Sequence, residues 1–71
     1  MKVIINGEAQ SIEAETVTIK ELLEITKVRD PDMVSVQLNG NFVKREKLAE
    51  IPVHENDEFD FLYFMGGGIL G

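Results

Sequence analysis

Apolar and polar positions change their rhythm several times along this chain, and each change marks an element. Val3 and Ile5 fall on one face of a short strand over Lys2 to Asn6, with Ile4 on the other. Asn6-Gly7 predicts a two-residue hairpin, because both residue types tolerate the positive φ of a type I′ turn. Glu8 to Glu13 is then the return strand, with Ile12 inward, and Glu13 to Thr16 is a loop. After Thr18 the spacing becomes helical: Ile19, Leu22, Leu23 and Ile25 form an apolar stripe. Thr18 and Glu21 make a capping box, and Lys20 and Glu24 are spaced to pair at i,i+4. Asp30-Pro31-Asp32 predicts the stop of a helix of about ten residues, since the residue before proline disfavours α geometry.

Alternation returns at Met33 to Leu38, with Val34, Val36 and Leu38 against Ser35 and Gln37. Asn39-Gly40 is a second hairpin turn, leading into Asn41-Phe42-Val43. Lys44 to Ile51 predicts a short helical turn around Leu48, and Glu55-Asn56-Asp57 a tight turn. The last strand, Phe59 to Met65, is read as apolar on both faces and so as central in a sheet. Phe42, Phe59 and Phe61 are expected in the core. The order β-β-α-β-β-β, with a late central strand, predicts an α+β fold. It is the β-grasp: one main helix on a mixed four- to five-stranded sheet, with the first and last strands parallel neighbours. The domain is expected over residues 1–65. A flexible glycine-rich tail is expected over 66–71, because each glycine loses much backbone entropy on ordering.

Composition narrows the function classes. At 71 residues the chain makes one small domain, which buries only about 60 % of its unfolded surface. It has no Cys and one His, so disulfides, thiolate zinc sites and imidazole clusters are excluded. No apolar run reaches the length that spans a bilayer and no signal-peptide pattern opens the chain, so it reads as cytoplasmic. The net charge of −6 argues against nucleic acid. It suits a partner with a basic surface, and solubility alone also accounts for it.

Several stretches, in order, resemble the ThiS-type sulfur carrier proteins of bacterial thiamine biosynthesis. Thr18-Ile19-Lys20-Glu21-Leu22-Leu23 is similar to that family's helix start, and Val36 to Val43 to its second hairpin. Arg45 matches the arginine of its V-P-R motif, and Met65-Gly66-Gly67-Gly68 its apolar-then-glycine ending. Lys44 departs from the family's proline, Leu48 from a common tryptophan, and Asn56 from a turn glycine. Ile69-Leu70-Gly71 continues past the glycines where family members usually stop.

The resemblance implies a carrier rather than an enzyme. Its terminal carboxylate is adenylated with ATP on a ThiF-like adenylyltransferase, converted to a thiocarboxylate with a sulfur donor, and read by a thiazole synthase. ATP belongs to the partner, and the carrier needs no cofactor or metal of its own. On that reading Gly68 becomes the reactive terminus once Ile69, Leu70 and Gly71 are removed, for which a processing protease is implied. Gly66 and Gly67 thread the partner's channel, reaching with Gly68 at most about 10 Å beyond the strand. Leu62 and Phe64 are either core on a second face or an exposed docking patch. Arg45 is expected to anchor a loop, His54 to be solvated without a role, and Glu55, Asp57, Glu58 and Asp60 to form a solvated face. Two alternatives stay open: a carrier for another acceptor (molybdopterin, cysteine or homocysteine, tRNA thiolation), and a ubiquitin-like interaction domain whose tail never reacts. No nucleophile–base pair or metal constellation is visible in the sequence.

Overall fold

The structure, a computed structural model, describes residues 1–63. The elements are β1 Lys2–Ile5, β2 Glu8–Ser11, α1 Ile19–Ile25, β3 Val34–Leu38, β4 Asn41–Val43 and β5 Glu58–Tyr63. Short 3₁₀ turns stand at Pro31–Met33 and Arg45–Lys47. The five strands form one sheet in the order β2-β1-β5-β3-β4. β1 and β5 are parallel and every other pair is antiparallel. This is the β-grasp arrangement that the order of elements predicts, with β5 in the middle.

Both hairpins close on two residues, Ile5 facing Glu8 and Leu38 facing Asn41. Their turns have positive φ at both positions, 52° and 84° at Asn6-Gly7 and 51° and 89° at Asn39-Gly40. A type I′ turn requires this, and its twist matches that of the flanking strands. The same asparagines have a second task. Asn6 Oδ1 accepts the Phe61 amide at 2.9 Å, and Asn39 Oδ1 accepts the Glu58 amide at 3.0 Å. Each hairpin turn therefore grips the last strand with its side chain.

The helix begins where expected and ends early. Thr18 Oγ1 accepts the Glu21 amide at 3.2 Å, and Glu21 Oε1 accepts the Thr18 amide at 2.8 Å. The Ile19 and Lys20 amides donate to the carbonyls of Ile51 and Leu48 at 3.0 and 2.9 Å, so the first free donors of the helix are all met. At the other end α1 stops at Ile25, seven residues in all. Lys27 sits at φ 57° and donates to Glu24 O, and the Val28 amide donates to Leu23 O at 3.1 Å. That pair of bonds is a Schellman motif, and it ends the helix before Asp30-Pro31 is reached. Ile25 is correspondingly off the stripe. At 100° per residue it lies about 110° from the centre set by Ile19, Leu22 and Leu23, and it is 45 % exposed. Lys20 and Glu24 do not pair, whereas Lys47 and Glu50 do, at 3.6 Å.

The core lies between α1 and one face of the sheet. Phe59, Ile19, Leu22, Val3, Val34 and Val36 are its largest fully buried side chains, and no described polar side chain is buried. β5 is central but apolar on one face only. Phe59 and Phe61 are buried with ring centroids 6.1 Å apart, whereas Glu58 and Asp60 are exposed and Leu62 is half-buried. Phe42 is not core. It pairs with Gln37 on the helix-free face of an edge strand and is 65 % exposed.

Candidate functional site

The candidate site is the end of β5, after which the glycines follow in the sequence. Tyr63, its last described residue, pairs with Val34 at the start of β3. On the other side the parallel ladder with β1 is short. Asn6 N donates to Phe59 O at 2.9 Å, the chain then turns, and the Asn6 side chain takes the next amide, that of Phe61. β5 is thus held on the β1 side as far as Phe61 and on the β3 side as far as Tyr63.

Arg45 braces the same end. Its Nη1 donates to Pro31 O at 3.0 Å and its Nη2 to Val34 O at 2.9 Å. Planar guanidinium geometry suits two fixed acceptors, and the bonds tie both 3₁₀ turns to the strand that flanks Tyr63. The expected role of Arg45 as a loop anchor holds, and the carbonyls it reaches are now known.

Leu62 lies on the helix-free face, so it is not part of the core. Alternation and register place it on one surface with Ser35, Gln37 and Phe42 on one side and Ile4 on the other. Glu58 and Asp60 share that face. It therefore carries apolar side chains around two exposed carboxylates.

The remaining acids of the 55–60 segment are structural. Glu55 Oε2 accepts the Lys2 amide at 3.1 Å, and Asp57 Oδ2 accepts the His54 amide at 2.8 Å. Between them Asn56 takes the left-handed conformation at φ 68°, which asparagine tolerates. His54 is exposed, 3.9 Å from Asp57. Among the described residues no group of three or more His, Cys, Asp or Glu side chains is placed to hold a metal ion, and no helix is long and apolar enough to cross a membrane.

Phe64, Gly66, Gly67, Gly68, Ile69, Leu70 and Gly71 lie outside the described residues. Sequence reasoning missed the side-chain grip of Asn6 and Asn39 on β5. Its only trace in the sequence is that both turns begin with asparagine, which the turn chemistry already explains.

Comparison with known proteins agrees with this geometry. The crystal structure of a thiamine biosynthesis protein (ThiS) from Geobacter metallireducens superposes with a TM-score of 0.87 at 39 % identity, covering 96 % of this chain and 100 % of that one. An NMR solution structure of a thiamine biosynthesis protein from the same organism gives 0.79 at 39 % identity, covering 100 % of this chain and 92 % of that one. A thiazole synthase of Paramagnetospirillum magneticum is 34 % identical over 68 residues, 96 % of this chain, which spans only 20 % of that relative's length. The model of the ThiS family matches residues 3–68. With the fold and nearly the whole length in agreement, the chain belongs to the ThiS family.

Proposed function

We propose that this protein is a sulfur carrier for the thiazole of thiamine, working through Gly68 as a free C-terminus. The observation that carries this reading is the extent of the family match, which runs through β5 and the glycines and stops at Gly68. A ThiF-like adenylyltransferase is the first partner. The Gly68 carboxylate oxygen attacks the α-phosphorus of ATP and pyrophosphate leaves. A sulfur donor then replaces AMP at the acyl carbon, leaving a thiocarboxylate for a thiazole synthase. That a relative named thiazole synthase contains a stretch like this chain supports the last partner.

The carrier contributes position rather than catalysis. Asn6, Asn39 and Arg45 fix β5 and its neighbours, and Gly66 and Gly67 add no side chain to obstruct a narrow channel. The three glycines reach at most about 10 Å, so the partner must dock against the end of the sheet. Leu62 and the acids beside it supply that contact, with Phe64 as its continuation.

Ile69-Leu70-Gly71 follows the matched span and must be removed first, because a carboxylate tied up in a peptide bond cannot form an adenylate. Two forms of the protein test this, one ending at Gly68 and one full length, each mixed with ATP and the cognate adenylyltransferase. Pyrophosphate release is expected from the short form alone. Equal release from the full-length form would move the reactive terminus to Gly71. Release from neither would remove the carrier reading. The extra residues also favour keeping a second reading, a carrier trimmed for a different sulfur acceptor. Transfer from the thiocarboxylate to a thiazole synthase in vitro separates the two.

A further inference from the structure

A cleft of about 360 Å³ opens on the helix side, between α1 and the two 3₁₀ turns. Leu23, Leu48, Pro31 and Ala49 give it an apolar lining. Lys20 and Glu24 from α1, with Asp32 and Arg45 from the turns, make a rim of mixed charge. Among the described residues nothing fills it.

The wall of this cleft is tied, through Arg45, to the strand beside the end of β5. Arg45 lines the cleft and donates to Val34 O at 2.9 Å, and Val34 pairs with Tyr63. By alternation Tyr63 stands on the same side of the sheet as Phe59 and Phe61, which is the side of the cleft. Ile69 is six residues further on, within a span of at most about 20 Å. Gly66 to Gly68 lie between, and glycine adopts the conformations that a reversal of the chain demands. Beyond the glycines the sequence offers two bulky apolar side chains in a row, Ile69 and Leu70.

We propose that Ile69 and Leu70 of this same chain dock in this cleft. The match is apolar to apolar, and the short tether gives the pair a high effective concentration at the cleft, so a weak contact suffices. The lead is then folded back along the helix side, and Gly68 is held against its own domain instead of extending toward a partner. Removing the three residues frees it. This consequence rests on the reading of Gly68 as the reactive terminus, whereas the docking itself does not.

Methyl and amide NMR of the full-length chain and of the chain ending at Gly68 tests it. Truncation is expected to shift the methyl signals of Leu23, Leu48 and Ala49, and the full-length chain to show NOEs from the Leu70 methyls to them. The double variant Ile69→Ser, Leu70→Ser should reproduce the truncated spectrum. So should Ala49→Asp in the full-length chain, at an exposed position where the fold tolerates the change. Shifts confined to residues from Leu62 onward, with no such NOEs, would overturn the proposal. Shifts at the cleft that fade on dilution would also overturn it, since they assign the occupant to a second copy. The adenylation assay on the short form reads out the function separately, so either idea can fail alone.

Discussion

Asn6 and Asn39 each satisfy two demands, and only one of them belongs to their own hairpin. The positive φ at both positions could be met by glycine. The hydrogen bonds from the Phe61 and Glu58 amides could not. Substituting Asn6 in two ways separates the demands. Asn6→Gly keeps the turn and leaves the Phe61 amide without its acceptor, at an expected cost of about 1 kcal/mol. Asn6→Asp keeps an oxygen in place and should lie within about 0.5 kcal/mol of the parent. Urea unfolding of the two variants decides it. Equal losses would show that the side chain matters for the turn alone. The turns were legible in the sequence because Asn-Gly is a local signal. The grip on β5 was not, since it joins residues far apart in the chain. Phe42 misled for the same reason: its environment depends on β4 being an edge strand, and nothing in Asn41-Phe42-Val43 says so.

Among the elements, α1 shows most clearly where local reasoning stops. Its start was readable to the residue, since a capping box is written in four consecutive positions. Its end was misread because the left-handed residue that closes it is Lys27, where glycine is the usual occupant. The strain at Lys27 makes the element testable. A non-glycine residue in the left-handed region costs roughly 1–2 kcal/mol, and glycine's extra entropy in the unfolded chain offsets about 0.5–1 of that. Lys27→Gly should therefore stabilise the protein by about 0.5–1 kcal/mol, seen as a higher urea midpoint with unchanged slope. A lower midpoint would mean that the Lys27 side chain contributes contacts outweighing its backbone strain. β5 was misread by treating Phe59 to Met65 as one apolar run. Glu58 and Asp60 already announce an exposed face, and only the inward alternation of Phe59 and Phe61 belongs to the core.

At the scale of the whole molecule, the sheet separates two tasks. One face holds the helix and the core. The other carries no helix among the described residues, and it presents Leu62 among Glu58, Asp60 and Ser35 near the end of β5. On the proposed carrier reading, the net charge of −6 would steer encounter with a basic partner, while the lifetime of the complex would depend on apolar contact near the end of β5. The two contributions predict different kinetic signatures with the adenylyltransferase. Glu58→Gln with Asp60→Asn should slow association and flatten its dependence on salt, because screening has less charge to act on. Leu62→Asn, which adds no charge, should leave the salt dependence in place and raise the dissociation rate, weakening the complex by about 10-fold for about 1.4 kcal/mol of lost contact. Leu62→Thr, which retains strand propensity, guards against a fold effect, and thermal unfolding of each variant confirms that the domain survives. The assignment fails if all these variants fold and bind as the parent does. The partner would then be reading the terminus alone, and the helix-free face of the sheet would have no part in recognition.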